Sequence, residues 1–164
     1  MGRGTARPFF FCDDGRDPLS FKSMERTVEF ASHRFEAHTG EVRLVLSAPD
    51  LPALFSQAAS GLAELMAEDA QAIPLVDRME LEVEGRDLEA LLVNWLDELI
   101  YRTEIEGRVY PRVEWMEVEE GHLRARVSGG PPKAFKTSVK AATFHGLAVR
   151  NAGGRFEAAV VLDV

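Results

Sequence analysis

Among 164 residues there is one cysteine, Cys12. A single thiol cannot close an internal disulfide, and it excludes zinc and iron–sulfur sites built from several cysteines. Such usage fits a reducing interior, and the cytoplasm is the expected location. Long apolar runs are also missing, so no segment reads as a membrane span and no membrane is expected as a partner. Phe9-Phe10-Phe11-Cys12 is far shorter than a signal-peptide core and runs directly into Asp13-Asp14. Positive charge is scarce: 19 Lys and Arg against 27 Asp and Glu give a formal net charge of -8. That field repels nucleic acid, so RNA could be met only through a local basic patch or indirectly through a partner protein. The chain also lacks a Gly-x-Ser-x-Gly elbow, a Walker loop and a dinucleotide fingerprint. Gly129-Gly130 is followed by Pro131, which removes an amide that a phosphate cradle would use. These absences point away from an enzyme.

What is present is a foldable core. Apolar residues make up 46% of the chain, enough for one ordinary domain. Residues 1–30 show no sustained period and read as a poorly ordered leader in which Met24 is a second candidate start; residues 31–164 read as the folded domain. Val42 to Leu46 predicts a strand, and Asp50 the N-cap of a helix whose apolar positions Leu51, Leu54, Phe55, Ala58, Leu62, Leu65 and Met66 form one stripe. Met79 to Glu84 alternates as a strand with one buried and one acidic face. Asp87 then caps a second helix carrying Leu88, Leu91, Leu92, Trp95, Leu96, Leu99 and Ile100. Val109 to Val118 and Leu123 to Val127 form a hairpin about Glu120-Gly121, a register that pairs Glu117 with Arg124. Phe135 to Ala142, Leu147 to Arg150 and Phe156 to Leu162 complete the strands, with the last turn at Asn151 to Gly154. The expected fold class is α+β, a two-layer sandwich in which two amphipathic helices cover one face of a mixed, largely antiparallel sheet.

Two acids stand out among the 27. Glu41 and Asp163 each adjoin a predicted core strand, where a desolvated carboxylate needs a proton, a base or a cation. Asp163 sits next to Val164, whose carboxylate oxygens could join it, and His38-Thr39-Gly40-Glu41 offers an oxygen-rich turn. If the fold brings these ends together, the donor set suits a hard cation such as calcium or magnesium. The competing assignment is a structural salt bridge or a cap. Alternation along 136–141 would put Lys136, Ser138 and Lys140 on one face, a positive stripe that with Lys133 could meet phosphate or simply keep a strand face soluble. His145, before Gly146, and His38 suit either a general base or ligand role or a backbone hydrogen bond.

Together, His38-Thr39-Gly40-Glu41, Lys140-Ala141-Ala142-Thr143-Phe144-His145 and Val160-Val161-Leu162-Asp163-Val164 resemble the archease family from Phe35 to the end. The resemblance implies a small acidic α+β accessory protein, not itself a ligase. Such a protein would activate a GTP-dependent, RtcB-type RNA ligase in tRNA splicing and repair, promoting its guanylylation and repeated turnover. It also implies a divalent cation, calcium or another such as magnesium or manganese, at Glu41, Asp163 and Val164, with Lys140, His38 and His145 as partner or nucleotide contacts. The chain departs from the family pattern at four places: Glu41 replaces Asp, Gly40 replaces Ala, Phe144 replaces Tyr and Arg43 replaces Gly. The longer Glu41 and the looser Gly40 turn predict weaker metal affinity. Two alternatives stand beside this reading, a metal-dependent phosphohydrolase and a general chaperone or scaffold.

Overall fold

A computed structural model describes residues 30–164; the expected leader, with Cys12 and Met24, lies outside the described residues apart from Phe30. The elements in chain order are β1 (Ser32–His38), β2 (Glu41–Ala48), α1 (Leu51–Met66), a short 3-10 turn (Ala70–Ala72), β3 (Asp77–Glu84), α2 (Leu88–Glu106), β4 (Val109–Glu119), β5 (His122–Gly130), β6 (Ala141–Thr143), β7 (Arg150–Ala152) and β8 (Arg155–Asp163).

Local chemistry sets the helix starts. Asp50 accepts from the Ala53 N–H at 2.8 Å and Asp87 from the Ala90 N–H at 2.7 Å, each satisfying an amide that the first turn leaves without a partner. Pro52 lies in the first turn of α1, where its missing N–H costs nothing. The buried stripe of α1 includes Leu54, Phe55, Ala58, Leu62, Leu65 and Met66; that of α2 includes Leu91, Leu92, Trp95, Leu96, Leu99 and Ile100. The Trp95 indole N–H donates to the Phe55 carbonyl at 3.0 Å, so the largest core side chain also ties the helices together. At Gly61 the helix α1 lies close against β2: a Cβ there would lie 2.8 Å from Leu44 Cδ1.

The α+β sandwich is as expected, but its strands divide between two sheets where the sequence predicts one mixed, largely antiparallel sheet. One has the order β1-β2-β8-β6, with β7 also paired to β8; the other has the order β3-β5-β4. Every pairing is antiparallel. The Glu120-Gly121 hairpin forms with Glu117 opposite Arg124, as its sequence predicts. β1 was not expected as a strand; it is a polar edge strand whose alternation the sequence barely shows. The strand expected over Phe135 to Ala142 shrinks to β6, because the Lys136 N–H is taken by the Met66 carbonyl and only the Lys140 N–H reaches a strand neighbour, the Asp163 carbonyl. The strand expected over Leu147 to Arg150 moves to β7.

One cluster of buried side chains joins both helices to the two sheets, with Leu44, Leu46, Val160 and Leu162 from the larger and Leu81, Leu123, Ala125 and Val127 from the smaller. In β2 and β8 the even-numbered residues enter this core. Glu41, Arg43, Glu157 and Asp163 therefore fall on the opposite face, which neither helix covers.

Candidate functional site

The hairpin between β1 and β2 turns at Thr39-Gly40. Gly40 has φ of +76°, the left-handed region that a side chain disfavours, so glycine here permits a tight two-residue turn instead of loosening it as its sequence context suggested. Its carbonyl accepts from the Val164 N–H at 3.2 Å. That bond extends the β2–β8 ladder to the last residues.

The ladder puts Glu41 directly opposite Asp163, and on the other side of Asp163 lies Ala141 of β6. Directly opposed side chains on antiparallel strands share a face with Cβ atoms about 5 Å apart, and like charges so placed destabilise the pair. Both carboxylates are exposed, not desolvated as their apolar neighbours suggested, because helix packing covers only the other face. Among the described residues neither forms a salt bridge or a side-chain hydrogen bond, so the structural ion pair weighed as a competing role is absent there. The set of Glu41, Asp163 and the main-chain oxygens of Val164 is all oxygen, the chemistry a hard cation prefers. Among the described residues no three His, Cys, Asp or Glu side chains converge, so a cation here would complete its shell with main-chain oxygens, water or a partner.

His145 shares this corner. It lines a depression of about 350 Å³ with Glu41, Arg43, Gly146 and Val161. His38 ends β1 at the register position opposite Glu41. Lys140 is only partly brought in: its N–H donates to the Asp163 carbonyl at 2.8 Å, but its side chain lines a different cavity of about 510 Å³, with Met66, Ile100 and Thr103. The expected positive stripe survives as alternating exposure, with Lys136, Ser138 and Lys140 exposed and Val139 buried, although the segment has no ladder of its own.

Two residues that the sequence did not mark hold this corner in place. Asp97 of α2 accepts from the Ala142 N–H at 2.7 Å and Glu89 from the Val149 N–H at 2.8 Å. Eight residues apart on one helix, or about 12 Å, they fix both ends of the segment that carries His145. Burial raises the Asp97 pKa above its ordinary value, and the Ala142 hydrogen bond offsets part of that rise. The one available signal was an acid next to the apolar stripe of α2.

Residues 33–164 match the sequence profile of the Archease protein family. The chain belongs to the archease family. Protein archease of Methanopyrus kandleri is 34% identical over 134 residues, covering 77% of this chain and 95% of its own. That of Pyrobaculum neutrophilum is 31% identical over 142 residues, covering 82% and 96%. The archease fold also appears in solved structures. A solution structure of a Methanobacterium thermoautotrophicum protein superposes with a TM-score of 0.64 at 24% identity, covering 80% of this chain and 98% of its own. A Thermotoga maritima crystal structure, described as "an archease, possible chaperone", does so with a TM-score of 0.58 at 19% identity, covering 81% and 100%. At those identities the likeness concerns fold alone. Among the described residues no helix is long and apolar enough to cross a membrane.

Proposed function

We propose that this archease is a non-catalytic protein cofactor that acts in the cytoplasm. It activates a GTP-dependent, RtcB-type RNA ligase in tRNA splicing or RNA repair, promoting guanylylation of the ligase and its multiple turnover. Glu41, Asp163 and Val164 hold a divalent cation, calcium or else magnesium or manganese, and RNA is met only through the ligase. The single observation that carries the reading is the register of Glu41 opposite Asp163, two exposed carboxylates on a helix-free face that form no salt bridge among the described residues. A cation there relieves their repulsion and presents positive charge beside His145, at a surface able to dock near a partner's phosphate-binding centre. His38, three residues before Glu41, and Lys140, whose N–H bonds the Asp163 carbonyl, supply contacts once the partner is seated.

The test is multiple-turnover ligation by an RtcB-type ligase, with limiting ligase and excess RNA. Added wild-type protein is expected to raise turnover and the guanylylated fraction, and Asp163→Ala to abolish most of that gain. Equal stimulation by Asp163→Ala would overturn the reading.

A second reading is a chaperone, the description attached to the Thermotoga relative. It is favoured by Phe135, 52% exposed, which lines the 510 Å³ cavity with Met66, Ile100 and Val139. Suppression of aggregation of an unrelated protein, unchanged by Asp163→Ala and lost in Phe135→Ser, would select it.

A further inference from the structure

Between Lys136 and Lys140 the chain runs without a turn or a bend, yet it joins no sheet. Its two ends are tied, the Lys136 N–H donating to the Met66 carbonyl and the Lys140 N–H to the Asp163 carbonyl, both at 2.8 Å. Between these ties the main-chain groups of Thr137, Ser138 and Val139 form no hydrogen bond among the described residues. The ladder that pairs β6 with β8 reaches only Ala141 and Asp163, so it does not extend beside 137–139. Unbent backbone with open donors and acceptors is a template for another strand. The same segment borders the cavity of about 510 Å³, where Met66, Ile100 and Val139 are buried and Phe135, Lys136 and Lys140 are exposed. Glu104 is the acid on this cavity, and among the described residues neither it nor the two lysines forms a salt bridge. Glu41 and Asp163 are on the other face of the larger sheet, since Asp163 shares a face with Ala141 and not with Lys140.

We propose that residues 136–140 form an interaction edge that takes up an extended peptide segment of a partner protein, one with an apolar residue and an acid two places to each side of it. In strand addition of this kind the main-chain bonds supply affinity, and pockets for alternate side chains supply selectivity. Lys136 and Lys140 stand about 13 Å apart along an unbent segment, and acids at i−2 and i+2 of an added strand are separated by the same distance. The apolar residue between those acids then falls at the centre of the segment, over Met66, Ile100 and Val139 and beside Phe135. Two lysines against the single Glu104 favour acids over bases at the flanking places. The proposal stands apart from the ligase reading, because neither carboxylate of the Glu41–Asp163 pair takes part. It differs from the chaperone reading in requiring a defined side-chain pattern on an extended segment.

The experiment is fluorescence anisotropy on the full chain with a fluorescein-labelled, amidated peptide, Gly-Asp-Val-Phe-Val-Asp-Gly. The wild type is expected to bind it. N-methylation of the Phe amide and N-methylation of both Val amides block opposite edges of the added strand, so one of these two peptides should lose roughly tenfold in affinity and the other much less. Lys136→Ala combined with Lys140→Ala should weaken binding on the order of fivefold, whereas Arg124→Ala, an exposed change of equal sign on the smaller sheet, should bind like wild type. The proposal is overturned if the wild type does not bind the peptide, if the two methylated peptides bind alike, or if the lysine double variant binds like wild type. Equal binding of a peptide of the same composition with its two acids adjacent would assign the cavity to unselective capture. A dimer in solution that Phe135→Ser dissociates would assign the edge to a second copy of the chain; either result also overturns the proposal. The methylated peptides decide on the wild-type chain, should a variant fail to fold.

Discussion

At the scale of single residues, Asp97 shows how the fold positions its candidate site at a cost. Its carboxylate is drawn into the interface between α2 and β6 to hold Ala142, and burial raises its pKa above the usual aspartate value. A raised pKa means that the folded state holds the proton more tightly than the unfolded chain does. The stabilisation is therefore full below the ordinary aspartate value and is lost as pH rises through the raised one. Asp97→Asn keeps an acceptor for Ala142 and removes the titration, so its stability should vary less with pH across that window than wild type in urea melts; identical pH profiles would contradict this. Gly61 makes a simpler case. Gly61→Ala brings a methyl to 2.8 Å from Leu44 Cδ1, the movable end of a side chain, while alanine favours the helix by about 1 kcal/mol, so chemical denaturation should report a net change within about 1 kcal/mol; a loss of about 3 kcal/mol would show that Leu44 cannot step aside.

At the scale of elements, α2 works as a clamp. Glu89 and Asp97 each satisfy one amide of the Ala142 to Val149 segment, and removing either acceptor strands a partly buried N–H, which costs about 1–3 kcal/mol. Glu89→Ala combined with Asp97→Ala should speed amide hydrogen exchange across 142–149 while leaving the β3–β5 amides protected; uniform protection in both would refute the clamp. Much of this level was legible in the sequence. Asp50 and Asp87 announce both helices because a capping acid before an apolar stripe has few other roles, and Glu120-Gly121 fixes the Glu117–Arg124 register through turn geometry alone. β1 was not legible: Ser32 to His38 is an edge strand with Phe35 and Ala37 as its apolar residues, so its pairing to β2 supplies the order that its own pattern lacks. The division into two sheets was hidden for a related reason, since alternation specifies a buried face but not which neighbour each strand pairs with. Glu41 and Asp163 do meet across the β2–β8 ladder, but they are exposed where the sequence predicts desolvation, because apolar neighbours in sequence enter the core on the opposite face.

At the scale of the whole molecule, the fold sorts charge that the composition averages away. The outer face of β3 and β5 carries Glu80 and Glu82 against Arg126 and His122, and the Arg126 hydrogen bond holds the exposed Glu80 carboxyl below its usual pKa. On the larger sheet Arg34 and Arg43 pair with Glu36, while the carboxylates of Glu41 and Asp163 are left together at the end of β2 and β8. Two like charges held together on an uncovered face, neither in a salt bridge among the described residues, repel each other, and a cation between them would relieve that repulsion. If the carboxylates hold a cation, calcium at one hundred times its dissociation constant should stabilise the folded chain by about 2.7 kcal/mol, and chelation should reverse the gain in thermal melts.

The central claim, that Glu41 and Asp163 act jointly on one ion, is tested most directly by isothermal titration of calcium into the wild-type chain and into Glu41→Gln, Asp163→Asn and the double variant. The account predicts a single site whose affinity falls at least roughly tenfold in each single variant, with the double variant little worse than either because the two changes remove the same site. No heat of binding in the wild type, or wild-type affinity in both single variants, would contradict it.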